Sequence, residues 1–128
     1  EIREKVCQKG LSKFVAFGGT TENVTEYYNA MDLMLMPSLF EGLSIVALEA
    51  QANGIPTVLS DCFSPETPAT KSAYTISLEK KPELWADIIL NQIDFTRNDN
   101  QDQMRKKKLT IDLMMKEIRN ILFGEDEL

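Results

Sequence analysis

Short apolar runs alternate with amphipathic segments along the chain. Four runs of four or five residues, each closed by turn-forming or polar residues, predict β-strands: residues 14–17, 33–36, 57–60 and, more weakly, 74–78. The segments around them have apolar residues at helical spacing and predict α-helices: residues 1–9, 22–31 (capped by Thr20 or Thr21), 44–53 and 82–92, and one long amphipathic helix within 99–122.

Apolar strands that alternate with helices indicate an α/β fold with a Rossmann-like parallel sheet of about four strands and helices on both faces. We expect one domain over residues 1–128, because 128 residues suit a single compact core. Such sheets bind ligands outside the carboxyl ends of their strands. The segment PSLFEGLS at 37–44 follows a predicted strand and precedes a predicted helix. Phosphates are commonly held at such a helix N-terminus.

Charge and composition narrow the function classes. The formal net charge of -6 argues against a nucleic-acid or polybasic membrane partner. The basic run 105–108 is flanked by Asp102 and Asp112, which favours a solvated helix face. No apolar run approaches the ~20 residues of a membrane span. The chain begins with Glu1 rather than Met, so we expect it to be a piece of a longer protein.

The rarest residue types point away from several kinds of catalytic site. Cys7 and Cys62 have no metal-binding spacing, so a reduced, cytoplasmic setting is the expectation. The chain contains no histidine. This excludes Ser–His and Cys–His catalysis and most zinc sites.

One carboxylate, Glu49, stands inside the apolar helix predicted at 44–53. On a helical wheel it falls between Ile45 and Val46, opposite Gln51, and so off the expected solvent stripe. A buried carboxylate needs hydrogen-bond donors, and residues 14–70 contain no Lys or Arg. A ligand diol could supply two O–H donors. The alternative is that the helix is only partly buried and Glu49 reaches water at its edge.

Taken together, these residues resemble a known signature. The stretch MDLMLMPSLFEGLSIVALEAQANGIPTVLSD is similar to the donor site of retaining glycosyltransferases of the GT-B fold, family 4 type. The upstream segment FVAFGG also fits this family. The downstream segment ISLEKKPELWADIIL is similar to its bacterial capsular and exopolysaccharide transferases, and the resemblance covers roughly residues 1–95. The matching positions in the central stretch are Asp32, Pro37-Ser38, Glu41-Gly42, Glu49 and Gly54-Ile55-Pro56.

The resemblance implies a role for each site residue. Glu41 would lie against the donor sugar as the candidate catalytic residue, and Glu49 would bind the ribose hydroxyls of the nucleotide. Backbone N–H groups would hold the diphosphate and sugar, and the base would sit near the loop after the first predicted strand. These two sets are Gly42, Leu43 and Ser44, and Phe17, Gly18 and Gly19. Members of the family need no metal or other cofactor.

The sequence also departs from the family pattern. The family's diphosphate-binding Arg and Lys have no counterpart, and the acceptor-binding half is absent. A complete nucleotide-binding half has about six strands. By the family's strand order, the two missing strands would lie in the sheet between the strands predicted at 14–17 and 33–36. We therefore expect exposed sheet edges that invite self-association.

The intact enzyme implied by the resemblance would move a hexose from a nucleotide diphosphate sugar, with UDP expected, to a polysaccharide or lipid-linked acceptor. The missing half would bind the acceptor and set any attachment to the inner face of the membrane. This chain alone is expected to be inactive. Two alternatives stay open: a fragment of a GT-B UDP-sugar epimerase, and a non-catalytic α/β interaction module.

Overall fold

The computed structural model describes residues 1–123, except for the side chains at positions 111, 114, 117, 122 and 123. In chain order, its elements are α1 (Ile2–Gln8), α2 (Val24–Ala30), β1 (Met34–Met36), α3 (Ile45–Ala52), β2 (Thr57–Ser60), β3 (Ala73–Ile76), α4 (Pro82–Gln92), α5 (Gln101–Lys106) and α6 (Ile111–Phe123). Within residues 1–123, no helix is both long enough and apolar enough to cross a membrane.

The three strands form one parallel sheet in the order β1-β2-β3. Strand β2 lies in the middle and is buried along its whole length, as expected for a parallel strand covered on both faces. The predicted α/β class and parallel sheet are confirmed.

The prediction of a strand at 14–17 is wrong. This segment begins in a turn and continues as irregular chain, and the side chain of Phe14 is 83% exposed. A strand needs a neighbour to receive its backbone hydrogen bonds. None of the strands in residues 1–123 lies beside this segment.

Helices cover both faces of the sheet. On one face, Val58 and Ile76 pack against Trp85 of α4, and the Trp85 indole donates a hydrogen bond to the carbonyl of Ser77 at 3.0 Å. On the other face, Ala50 of α3 packs with a second group of side chains: Tyr28, Met31, Met34 and Ile55. The central strand is thereby shielded from water on each side.

Two predicted helix boundaries are wrong. Helix α2 begins after Asn23, and Thr21 instead accepts a hydrogen bond from the Asn23 N–H at 3.0 Å. The single helix predicted within 99–122 is two helices, because Lys108 adopts a left-handed conformation with φ of 56°. The N–H groups of Lys108 and Leu109 bond back to the carbonyls of Arg105 and Met104. This is a Schellman ending, which usually has glycine where Lys108 stands.

The same ending closes α3 at a glycine, directly after the helix predicted at 44–53. Gly54 has φ of +86°, and its N–H bonds to the carbonyl of Gln51. A β-carbon at this position would overlap the carbonyl oxygen of Asn98. Gly54 is therefore required both for its backbone conformation and for the close approach of the 98–100 segment.

We predict that Gly54→Ala destabilises the chain by about 3 kcal/mol or more, since the backbone strain adds to a steric overlap. Gly10→Ala is the matched control. Gly10 ends α1 with φ of +68°, but a β-carbon there meets no atom within 4 Å, so its cost is about 1–2 kcal/mol. Urea unfolding measures both free energies. Equal losses in the two variants would contradict the close approach at Gly54.

Candidate functional site

The β1–α3 loop, residues 37–43, lies at the carboxyl end of the sheet and is fixed by the last residue of β2 and the chain that follows it. The hydroxyl of Ser60 donates to the carbonyl of Ser38 at 2.6 Å. The N–H of Glu41 donates to the carbonyl of Cys62, and the carbonyl of Glu41 accepts from the N–H of Ser64, both at 3.1 Å. This loop is therefore held by hydrogen bonds although it lies outside the sheet.

Helix α3 begins directly after this loop. The Ser44 hydroxyl caps the helix by accepting from the N–H of Ala47 at 3.4 Å. Within the described part of the chain, the N–H groups of Gly42, Leu43 and Ser44 have no hydrogen-bond acceptor. Unpaired N–H groups and the positive end of the helix dipole both favour an anion at this point.

Space remains open beside the main chain of Gly42. A β-carbon on Gly42 would meet no atom within 4 Å. Glu41 is partly buried, and its carboxylate accepts a hydrogen bond from the Ser38 hydroxyl at 3.3 Å. Leu39 and Phe40 expose 85% and 86% of their surfaces beside it. The structure thus brings the predicted residues Glu41, Gly42, Leu43 and Ser44 together at the start of α3.

Glu49 lies further along α3, in a groove against α2. The Tyr28 hydroxyl donates to its carboxylate at 2.9 Å. The groove has a volume of about 360 Å³ and is lined by Val24, Thr25, Tyr28, Glu49, Ala52 and Asn53. Burial, and then the hydrogen bond to Glu49, raises the pKa of Tyr28 to about 12.

The helical wheel assigned the wrong faces of α3. Glu49 is exposed, and its neighbour Ile45 is 70% exposed, whereas Gln51 is 0% exposed. The expectation that Glu49 lies off the solvent-facing side is therefore wrong, and the alternative in which it reaches water is the one observed. The wheel gives angular positions only, and here a polar residue finds enough partners to occupy the buried side.

Gln51 satisfies its whole amide inside the protein. Its Nε2 donates to the carbonyls of Ala47 at 3.0 Å and Thr67 at 2.8 Å. Its Oε1 accepts from the N–H groups of Ala69 at 2.9 Å and Thr70 at 3.1 Å. Since carbonyls only accept and N–H groups only donate, these partners fix the amide orientation. Gln51 thereby joins α3 to residues 67–70.

The segment predicted to lie near the base is on the α2 side of the molecule. The guanidinium carbon of Arg3 lies 4.2 Å from the centre of the Phe17 ring. The Tyr27 hydroxyl contacts the Gly18 carbonyl at 3.5 Å, and Gly19 has φ of +70°. Over residues 1–123, no hydrogen bond joins residues 17–19 to the β1–α3 loop. Helix α2 instead connects them to Glu49 through the adjacent Tyr27 and Tyr28.

Arg97 is a structural residue that the sequence did not indicate. Its guanidinium donates to the carbonyls of Tyr28 at 2.7 Å and Met31 at 2.6 Å, and to the side-chain oxygen of Asn53. These groups lie at the carboxyl ends of α2 and α3, where unpaired carbonyls favour a cation. Arg97 stands far from both helices in sequence, so no local pattern could identify it.

Comparison with known proteins decides the family. Residues 1–94 match the sequence model of the family "Glycosyl transferases group 1". The chain belongs to this family. The resemblance noted from the sequence is therefore confirmed.

Several curated relatives are named as glycosyltransferases. The chain is 39% identical over 90 residues to the putative glycosyltransferase EpsF of Bacillus subtilis (strain 168). This match covers 70% of this chain and 23% of EpsF. It is 38% identical over 61 residues to the lipopolysaccharide core biosynthesis mannosyltransferase LpsB of Rhizobium meliloti (strain 1021), covering 48% and 17%. It is 30% identical over 92 residues to a D-inositol 3-phosphate glycosyltransferase of Jonesia denitrificans, covering 70% and 22%.

The matched segment is thus less than a quarter of the length of these relatives. No solved structure matches the chain significantly. The family assignment therefore rests on sequence, and the site geometry described above comes from this chain alone.

The raised pKa of Tyr28 predicts a loss of stability at high pH. The pKa of Tyr28 is about 12 in the folded chain and about 10 when unfolded. The stabilisation is complete below pH 10 and is lost as pH rises toward 12, by up to about 2 kcal/mol. Urea unfolding between pH 9 and pH 12 measures this loss.

Two variants isolate the Tyr28 contribution from other groups that titrate in this range. Tyr28→Phe has no phenol to ionise, so its stability should fall less than that of the parent chain. Tyr27→Phe, on the same helix but 43% exposed, should follow the parent chain. Parallel curves for Tyr28→Phe and the parent would contradict the raised pKa of Tyr28.

Proposed function

We propose that this chain is the donor-binding part of a retaining glycosyltransferase. The whole protein would move a hexose from a nucleotide diphosphate sugar, with UDP as the nucleotide, to a polysaccharide or lipid-linked acceptor. The observation that carries the proposal is the row of three unpaired N–H groups, from Gly42 to Ser44, at the start of α3. In the sequence, the carboxylate residue Glu41 directly precedes this row, and Glu49 follows it within α3.

The diphosphate would bind to this row of N–H groups. A bound diphosphate carries negative charge close to the positive end of α3, where N–H groups can donate without moving. The hydrogen bonds that hold the β1–α3 loop keep these donors in place before the ligand arrives. Such preorganised donors stabilise charge that builds up on a leaving diphosphate, which is the main contribution expected of this half of the enzyme.

Glu49 would bind the ribose. Among the described residues its carboxylate has one donor, the Tyr28 hydroxyl, and an ionised carboxylate can accept about four hydrogen bonds. Capacity therefore remains for both hydroxyls of a ribose diol. The groove of about 360 Å³ against α2 provides room beside Glu49, and Phe17, Gly18 and Gly19 would lie toward the base.

Glu41 would contact the hydroxyls of the donor sugar. It directly precedes the row of N–H groups, so a sugar attached to a diphosphate bound there would lie near its carboxylate. No protein nucleophile or general base is assigned in this chain. Positioning of the donor and stabilisation of the leaving group account for its part in catalysis. The acceptor would bind to the part of the protein that lies outside this chain.

A titration of UDP tests the proposal. We expect UDP to bind the chain, and Glu49→Ala to weaken binding by about tenfold or more, because a hydrogen bond to a charged group contributes about 1.5–3 kcal/mol. Isothermal titration calorimetry measures both affinities. Glu83→Ala, which removes an exposed carboxylate from the first turn of α4, is the matched control and should bind UDP like the parent.

The possible outcomes separate this proposal from the non-catalytic module. Equal UDP binding by the parent and Glu49→Ala would remove Glu49 from the ribose site. Failure of UDP to bind at all would favour an interaction module that has lost the donor site.

A further inference from the structure

We propose that Thr67 is a positioning residue that aims the N–H groups of the β1–α3 loop at the donor diphosphate. The inference rests on the proposed function, in which these N–H groups bind that diphosphate. It adds a residue outside the family signature noted in the sequence. Thr67 lies in the β2–β3 connection, residues 61–72, and is 0% exposed.

Thr67 reaches the loop through its side chain. Its hydroxyl donates to the carbonyl of Gly42 at 3.2 Å. The rest of the residue is fixed from two directions: its N–H donates to the carbonyl of Ser64 at 2.9 Å, and its carbonyl accepts from Nε2 of Gln51 at 2.8 Å. A buried hydroxyl held in this way cannot turn to water for an alternative partner.

Because the peptide bond is planar, this hydrogen bond also fixes the direction of the Leu43 N–H. Every peptide bond in the described chain is trans, so the N–H of Leu43 points opposite to the carbonyl of Gly42. Since that carbonyl faces the buried Thr67 hydroxyl, the Leu43 N–H faces away from the protein interior. The bond from Thr67 therefore presents this N–H to a ligand.

The preceding peptide is aimed in the same manner. The carbonyl of Glu41 accepts from the N–H of Ser64 at 3.1 Å, so the N–H of Gly42 points away from Ser64. Ser64 and Thr67 are themselves hydrogen-bonded to each other. One short segment after β2 thus directs two consecutive N–H groups outward, one with its main chain and one with a side chain.

The Thr67 contribution can be removed on its own, because its hydroxyl is the only part of that residue that contacts Gly42 by a hydrogen bond. Thr67→Val keeps the volume and the main-chain bonds but has no hydroxyl. Thr67→Ser keeps the hydroxyl and should restore the parent behaviour. Thr57→Val is the matched control, since Thr57 is also 0% exposed and its hydroxyl bonds to Ile55, away from the loop.

Two measurements test the inference. The heteronuclear ¹H–¹⁵N NOE of the Leu43 amide should fall in Thr67→Val, because the peptide between Gly42 and Leu43 is released. Calorimetry should show UDP binding weakened about tenfold in this variant, with uridine binding unchanged, because uridine has no diphosphate to contact these amides. A merely structural loss would weaken UDP and uridine alike and would also appear in Thr57→Val.

The outcomes distinguish this inference from the proposed function. Unchanged NOE values in Thr67→Val would overturn the role of Thr67 whether or not the chain binds UDP. Equal weakening of UDP and uridine would overturn it as well. A lowered Leu43 NOE in a chain that does not bind UDP would support the aiming of the amide by Thr67 and count against the proposed donor site.

Discussion

The structure depends on the buried side-chain amide of Gln51. An unsatisfied polar group of this kind costs about 1–3 kcal/mol for each missing partner, so Gln51 can occupy the interior only where every partner is present. Those partners lie in α3 and in residues 67–70, while Asn100 donates to the main-chain carbonyl of Gln51 at 2.8 Å. The position of α3 relative to the sheet is therefore fixed by directional bonds as well as by apolar packing.

The candidate site follows from that position. Helix α3 carries Ser44 at its start and Glu49 on its exposed side, and Thr67 connects the Gln51 amide to the carbonyl of Gly42. The β2–β3 connection thus contacts both the β1–α3 loop, at Gly42, and helix α3, at Gln51. At the same edge, Asp61 accepts from the N–H of Leu78 at 3.0 Å, and hydrogen bonds from Ser77 and Leu78 hold the pKa of Asp61 below its usual range. The chain around the binding edge is ordered by polar contacts of this kind.

Within the described residues, the sheet has a free edge at β1. Strand β1 pairs only with β2 in the part of the chain that the structure describes, and Leu35 in its centre is 46% exposed. Self-association through such an edge stays a prediction. The strand predicted at 14–17 does not form for a related reason. An apolar run predicts where a strand can form, but not whether a neighbouring strand is present to pair with it.

Local chemistry was predictable from sequence wherever the decisive contacts are local. The Gly54 ending of α3, the start of α4 at Pro82 and the loop before Ser44 all follow from residues close together in the chain. The buried Gln51, the bonds from Arg97 and the contact of Thr67 with Gly42 depend on partners at least 16 residues away. Lys108 was missed for another reason, because it stands where a left-handed helix ending normally has glycine.

The proposed function requires that the N–H groups at the start of α3 bind a diphosphate. Titration of UDP into ¹⁵N-labelled protein, followed by ¹H–¹⁵N correlation spectra, tests it most directly. We expect saturable shifts of the Gly42, Leu43 and Ser44 amides that uridine does not reproduce. Binding of UDP that leaves these three amides unshifted would contradict it.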